Sequence, residues 1–384
     1  MNIYSWILTL SILAGQLVKI PIGQGSGATL LDMSLIFLCL IGLIRIKFHL
    51  KTPPLFIKTG LIFILIAIVS LIFSPLSLNA NQYLVSFFYT IRFLLIILLG
   101  WLIASRAFPF FSKSNFNLLT FSGIGLAILG LLQFIFIPDL YFLEQYGWDP
   151  HVFRTVSTFL DPSFAGAYFV LTLILLLQKP LKVQIKWQAV TFILVYLALL
   201  TTISRGAYLM FTTSFIAIAF LNKSLKLTIL TLLLSIGLFL GYYTYHLSVA
   251  APRNIDRVQS AQFRVNSWKR GWEIFTHAPF LGVGYNSYRY ALREYHLAPE
   301  NHLATKGANS NDSSLLHILS TTGIIGLLAY LLFLASLFWP IKPEKIIMIS
   351  ALVGLIAHSF FANSLVYPFL FLWIMLAATK ITDD

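Results

Sequence analysis

The chain has 384 residues, of which 58% are hydrophobic and only 10% charged. Charged residues make up about a quarter of an ordinary soluble domain, so this composition excludes a soluble globular protein and points to a polytopic membrane protein. The net charge of +13 is loop charge of such a protein and not a nucleic-acid signal, and the single cysteine, Cys39 in an apolar run, excludes an intrachain disulfide.

Apolar runs of the ~17–25 residues that a bilayer requires predict twelve spans. They lie near residues 3–20, 29–45, 55–74, 83–104, 117–137, 163–178, 187–203, 206–221, 226–246, 313–338, 345–361 and 364–379. The first run lacks a basic leader and a small-residue cleavage site, so it reads as a retained helix. No internal repeat is visible, and residues 1–384 read as a single membrane domain. Lys and Arg over the short loops set the orientation. Both termini fall on the cytoplasmic side with 14 of the 26 basic residues, while the short loops opposite carry only Lys19, Arg154 and Arg205. The long loop at 247–312 is then extracytoplasmic.

Arg92 lies inside the fourth span, where an unpaired cation costs several kcal/mol. It either reaches into a substrate cavity or pairs with Asp32 to tie helices together. His358 and Asn363, around the turn between the last two spans, read as packing or loop polar groups. No His, Cys and carboxylate set has metal-ligand spacing.

Arg154 opens the stretch Arg154–Gly166, in which Asp161 can cap the sixth span and Pro162 suits its first turn. Arg205 sits in Ser204-Arg205-Gly206, a tight turn at membrane level, where its planar fork suits phosphate oxygens. In the long loop, Arg253, Arg257 and Arg264 fall within about 40° of one another if the segment is one helix, with Pro252 at its start. Val265, Trp268, Trp272 and Phe275 form an apolar stripe at spacings of three and four, suited to packing on the bundle or to the membrane interface. Ala278-Pro279 stops that helix and Gly282-Val-Gly284 makes a tight turn. Residues 285–297 form a second short helix, with Arg289 and Arg293 one turn apart. The bland alternative for the loop is an interfacial amphipathic helix with snorkelling arginines.

These pieces together resemble the O-antigen ligase and O-antigen polymerase superfamily of bacterial envelope enzymes. The resemblance rests on Arg154–Gly166, on Ser204-Arg205-Gly206, on Arg264, Trp268 and Pro279–Gly284, and on Ser313–Gly326 with its Thr-Thr-Gly323-Ile-Ile-Gly326. It covers roughly residues 150 to 330. It implies an all-α polytopic membrane protein of about 12 transmembrane helices, GT-C-like, with one large extracytoplasmic helical loop. The implied activity is a metal-independent membrane glycosyltransferase of the bacterial inner membrane, without a cofactor. Such enzymes take glycan from an undecaprenyl-pyrophosphate carrier and pass it to a glycan or lipid acceptor hydroxyl. Membrane lipids are the other partner, and nucleic acid is not one.

Arginines beside the leaving pyrophosphate would stabilise the transition state. Arg205 and Arg264 are the leading catalytic candidates, with Arg154, Arg253, Arg257, Arg92, Arg289 and His302 as substrate-binding candidates. The chain departs from the family pattern at one place. The family's His-Asn precedes the glycine matched by Gly323 by eleven residues, and here that position reads Asp312-Ser313. Asp312 is a candidate general base, or else the N-cap of the tenth span, and His302 and His317 are possible substitutes. Two other function classes remain: a lipid-linked glycan transporter or flippase, and a catalytically inactive envelope scaffold.

Overall fold

Each of the twelve predicted runs folds as a helix, because a chain in lipid must satisfy its backbone groups internally. The computed structural model describes residues 2–23, 26–108, 111–178, 184–253, 257–339 and 345–381, and about 75% of the chain is helical. In chain order the elements are α1 (Ile3–Ala14), the strands β1 (Lys19–Gly23) and β2 (Ser26–Thr29), α2 (Leu30–Arg45), α3 (Leu55–Ile72), α4 (Ala80–Ala104), α5 (Phe111–Phe136), α6 (Pro162–Gln178), α7 (Ile185–Thr201), α8 (Arg205–Leu221), α9 (Leu225–Tyr245), α10 (Arg257–His277), α11 (Tyr288–Glu294), α12 (Glu300–Ala304), α13 (Ser314–Phe338), α14 (Ile346–His358) and α15 (Pro368–Ile381). Among the described residues, five helices, α3, α4, α5, α9 and α13, are long and apolar enough to cross a membrane, and six more are shorter but apolar. On α9, Leu230, Leu233, Ile236, Phe239 and Leu240 are exposed. An apolar surface of that extent suits lipid and not water.

Two boundaries differ from expectation. The first span was expected to run to residue 20, but α1 stops at Ala14. Gly15 turns there with φ 55°, and the next N–H, of Gln16, donates to Thr158 O at 2.8 Å. Lys19 and Ile20 then enter an antiparallel hairpin, with Lys19 opposite Thr29, so the architecture is helical with one small two-stranded addition. The last span begins at Pro368 and not at 364, with proline in the first helical turn where its missing N–H is harmless.

The helices group into two compact units. The first comprises Met1–Val18, Ser114–Ala261 and Lys342–His358. Its centre is α6, buried almost throughout from Pro162 to Leu176, with α7, α8 and α14 packed on it. The second comprises Lys19–Lys113, Gln262–Ile341 and Ser359–Asp384. Its centre is α15, where Phe369 to Ala378 are all buried. Aromatic rings from α3, α4, α13 and α15 interlock there. Phe93 stacks on Phe371 at 4.0 Å, and Phe63 meets Tyr330 edge-on at 4.9 Å.

Within the second unit, α13 is broken at Gly323 (φ 66°, ψ −170°). A break in a membrane helix orphans backbone donors and acceptors on both sides. The turn after α10 supplies the partners. Val283 and Gly284 N–H donate to Ser320 O and Thr321 O at 3.1 and 3.0 Å, and Ile324 and Ile325 N–H donate to Pro279 O and Phe280 O at 2.9 and 3.4 Å. Ser70 on α3 adds a hydroxyl donor to Thr321 O at 2.7 Å. The Pro279–Gly284 and Thr321–Gly326 motifs, far apart in sequence, are two halves of one joint.

Candidate active site

In the first unit the backbone on either side of Arg205 sets its position. Ile203 has φ 50°, a left-handed conformation that costs a β-branched residue roughly 1–2 kcal/mol. Arg154 holds it in place. Its Nε donates to Thr202 O at 2.9 Å and its Nη2 to Ile203 O at 3.2 Å, while Nη1 lies 3.3 Å from His151 Nδ1. Arg154, expected to grip substrate, therefore spends its fork on the turn that aims Arg205. Ser204 caps α8, its Oγ accepting from Ala207 N–H at 3.4 Å. Arg205 is the first residue of that helix and is exposed, with its Cζ 5.9 Å from the Tyr242 ring. A guanidinium at a helix N-terminus adds its full charge to the partial positive charge of the dipole, an arrangement suited to an anion.

Behind Arg205 runs a polar chain that the sequence reading assigned to packing. Ser204 Oγ donates to Ser163 Oγ at 3.4 Å, and Ser163 Oγ lies 3.1 Å from Nε2 of His358, the buried last residue of α14. Asp161 caps α6 as expected, its Oδ1 accepting from Ser163 and Phe164 N–H at 2.7 and 3.0 Å. Asp149 faces the same group. Its carboxyl is raised, first by desolvation and then by the Asp161 charge, against Arg154, which lowers it. The residue as a whole is exposed, so this is the desolvation of a crowded surface and not of an interior.

Arg253 was expected on one helix with Arg257 and Arg264. It precedes α10 and places its Cζ 5.3 Å from the Phe153 ring instead. The three-arginine stripe is thus reduced to Arg257 and Arg264, and the side chain of Arg257 lies outside the described residues.

In the second unit, the stripe of α10, suited to packing on the bundle or to the membrane interface, is split between packed and exposed positions. Trp272 and Val265 are exposed, while Gly271 and Ile274 are buried. The reason is polar. Asn311, fully buried, donates through Nδ2 to Ser267 O and to Tyr288 Oη, the latter at 3.0 Å, and its Oδ1 accepts from Ser313 N–H at 2.9 Å. A Cβ at Gly271 would fall 2.5 Å from Asn311 Nδ2, so only glycine admits this contact. Trp268 of the expected stripe does pack, its indole N–H donating to Phe360 O at 3.0 Å.

Asp312 follows Asn311, half-buried, and its backbone N–H donates to Ser267 Oγ at 3.1 Å. The N-cap of α13 is Ser313, whose Oγ accepts from Leu316 N–H at 3.4 Å, so capping does not explain Asp312. At 3.6 residues per turn, Arg264 and Arg270 flank Ser267 at about 60° on either side. Burial pushes the Tyr288 hydroxyl up to about 12. Hydrogen bonds from Asn311 and Ser267 oppose this, the Asp312 charge adds to it, and Arg270 opposes it again. Asp312, Tyr288 and Arg270 therefore share one electrostatic environment. His317, one turn deeper, is buried and accepts from Asn311 N–H through Nδ1 at 3.4 Å.

Arg92 resolves toward the ion-pair alternative. Its Nε and Nη2 reach the two oxygens of Asp32 at 2.5 and 2.7 Å, and Nη2 also donates to Gly27 O at 3.1 Å. Arg289 donates to Thr305 O. His302 is held below its ordinary 6.5 by burial and then by the Arg270 and Arg289 charges. The folded protein therefore takes up a proton at His302 less readily than the unfolded chain, so stability falls as pH drops from about 6.5 through the lower folded value. The melting temperature is expected to fall over that window, and to fall less in His302→Gln. Equal slopes in the two proteins would remove this role for the histidine.

Among the described residues, no three His, Cys, Asp or Glu side chains gather as a metal site. A family model described as O-antigen ligase matches residues 190–331. The resemblance to the O-antigen ligase and polymerase superfamily is borne out. The matched O-antigen ligase region contains Arg205, Arg264, Arg289, His302, Asp312 and the whole Gly282–Gly323 joint, whereas Arg92 and the Arg154–Gly166 motif precede it. No curated protein matches the chain. Sequence reasoning passed over Asn311, Arg270 and the Ser163–His358 pair as site residues. Asn311 adjoins Asp312, and Arg270 lies two residues from Trp268, but neither position carries a signal of its own without the fold.

Proposed function

We propose that this protein transfers glycan from undecaprenyl pyrophosphate to an acceptor hydroxyl at the outer face of the inner membrane, in surface polysaccharide assembly. The match of the O-antigen ligase region carries this reading. Both termini are cytoplasmic in it, following the distribution of Lys and Arg over the short loops. The acceptor oxygen attacks the anomeric carbon, the bond from that carbon to the pyrophosphate oxygen breaks, and the leaving group takes the electron pair. Arg205, exposed at the start of α8, is placed to stabilise that charge. Arg154 is a positioning residue for it. Asp312, whose backbone N–H donates to Ser267 Oγ, is the base proposed to take the acceptor's proton.

The test is Arg205→Lys, which keeps the charge and loses the fork. Transfer of glycan from the carrier is expected to fall about 100-fold, with a normal amount of protein in the membrane. Unchanged transfer would remove Arg205 as the pyrophosphate group. Deleting the protein in its host and sizing carrier-linked glycan separates the two branches of the reading. Single repeat units accumulate for a polymerase, and long stranded chains for a ligase.

A further inference from the structure

The segment of the first unit that leads from α5 to Arg154 turns aromatic rings outward for which the chemistry above has no use. Phe121, Ile128, Leu132 and Ile135 are exposed along α5 at intervals of seven, four and three residues. That spacing makes one face of a helix apolar and long enough to cross a membrane, so the face meets lipid. Phe136 and Ile137, also exposed, carry the same surface past the end of the span. Tyr141, Phe142 and Tyr146 follow on a short helix, Tyr141–Tyr146, and are 51%, 53% and 63% exposed. The inner side of this helix is formed by other residues. Leu140, Leu143 and Val156 are buried together, with Trp148 and Leu160 packed against them. Leucine therefore fills the inside of the segment, and the rings face away from it.

Backbone bonds fix that outward aim. Phe153 N–H donates to Pro138 O at 2.7 Å and Leu140 N–H to His151 O at 3.0 Å, so the segment closes on itself as a loop. Gln133 on α5 ties both ends of it. Its Nε2 donates to Ile137 O at 3.0 Å and to Arg154 O at 3.3 Å, and its Oε1 accepts from Val156 N–H at 3.0 Å. Tyr245 Oη on α9 donates to Val152 O at 2.8 Å. Exposed apolar side chains running on from residue 135 to 146 form a patch that water does not favour. Glu144 and Gln145, exposed between the rings, bar the segment from the hydrocarbon core. The headgroup region meets both demands, since a tyrosine there keeps its ring among acyl chains and its hydroxyl in water. A sugar stacked on one ring would not account for Phe136 and Ile137, whose side chains have no hydrogen-bonding group to offer it.

We infer that Tyr141, Phe142 and Tyr146 form a membrane-interface anchor, seated in the headgroup region of the leaflet at the C-terminal end of α5. The anchored loop ends at Arg154, so the brace of the Arg205 turn is tied to the lipid surface and not to a freely moving loop. The inference goes beyond the glycan-transfer reading and does not depend on it.

Nitroxide labels on the full-length protein in phospholipid liposomes test it. Cys39 is buried, so labelling is directed to a cysteine introduced by Tyr141→Cys, Phe142→Cys or Tyr146→Cys, one at a time. Each variant is checked for an unchanged melting temperature, and any one that fails to fold is replaced by the other two. Ile128→Cys on the lipid face of α5 and Lys226→Cys in the exposed first turn of α9 supply the lipid and water references. Collision of the label with oxygen, which favours lipid, and with a water-soluble nickel chelate gives its depth. The three labels are expected about 5–10 Å into the boundary between headgroups and acyl chains, shallower than Ile128 and shielded from the chelate relative to Lys226. The inference is overturned if they meet the chelate as freely as Lys226 does. It is equally overturned if they lie in water and become shielded only when a neutral glucan oligosaccharide is added, which would give the rings to a sugar.

Discussion

Replacing Arg92 with alanine is expected to destabilise the protein by about 3–5 kcal/mol, because it strands a buried carboxylate. Arg92 and Asp32 are 8% and 2% exposed, and two guanidinium nitrogens engage both carboxylate oxygens. Asp32 has a second task. It accepts from Thr29 N–H at 2.7 Å, closing the first turn of α2 against the hairpin. Arg92 also lies between two rings, with its Cζ 4.9 Å from Phe88 and 4.8 Å from Tyr89. The single change therefore removes a charge, a fork and two ring contacts together. Replacing both partners, Arg92→Met with Asp32→Leu, is expected to recover much of the loss, since an apolar pair leaves no stranded charge. Unfolding of the purified protein in detergent, for both single variants and the double, gives the coupling directly. A cost below about 1 kcal/mol for Arg92→Ala would mean that water reaches the pair.

Gly323→Ala is expected to cost about 3 kcal/mol or more. At φ 66° and ψ −170° the backbone occupies a region that essentially only glycine visits, with a penalty of order 1–3 kcal/mol for any other residue. The clash adds to it. An alanine Cβ would fall 2.2 Å from Phe280 O and 2.6 Å from Leu281 N, and those atoms are backbone and cannot rotate away. Relief requires the turn to lift, which breaks the hydrogen bonds from Ile324 and Ile325. Gly282, at φ 70° with Thr321 and Thr322 backbone 2.3–2.5 Å from its missing Cβ, faces the same constraint from the other side. The double variant Gly282→Ala/Gly323→Ala is therefore expected to cost less than the sum of the singles, because one displacement relieves both. Wild-type stability in Gly323→Ala would show that the joint tolerates opening.

The spans were legible because apolar length is a strong signal, and so were the local stops. Asp161 as a cap, the end of α10 at His277, the turn at Gly282-Val-Gly284 and a short helix carrying Arg289 and Arg293 follow from residue types a few positions apart. Features that depend on distant partners were hidden. Gly15 ends α1 against Thr158, a residue more than 140 positions away, and hydropathy alone runs on through Ile20. The packed face of α10 stayed open between the bundle and the membrane interface, because its partner Asn311 lies 44 positions from Ser267. The buried Asn311 amide meets the Ser267 carbonyl and leaves no room for a side chain at Gly271, so Trp272 sits outside while Trp268 packs on Phe360. Arg154 was legible as an arginine near the site but not as a brace, since its partners are backbone carbonyls that carry no sequence mark.

The backbone exchange between residues 279–284 and 320–325 has a consequence for how the protein opens. Neither segment can unfold without leaving the other with unsatisfied amides in a setting poor in water, so the two behave as one cooperative unit. The amides of Val283, Gly284 and Ile324 should then exchange with solvent deuterium through a common opening event, slower than that of Asn301, exposed on α12. Motions that keep these hydrogen bonds intact are confined to the segments on either side of the unit.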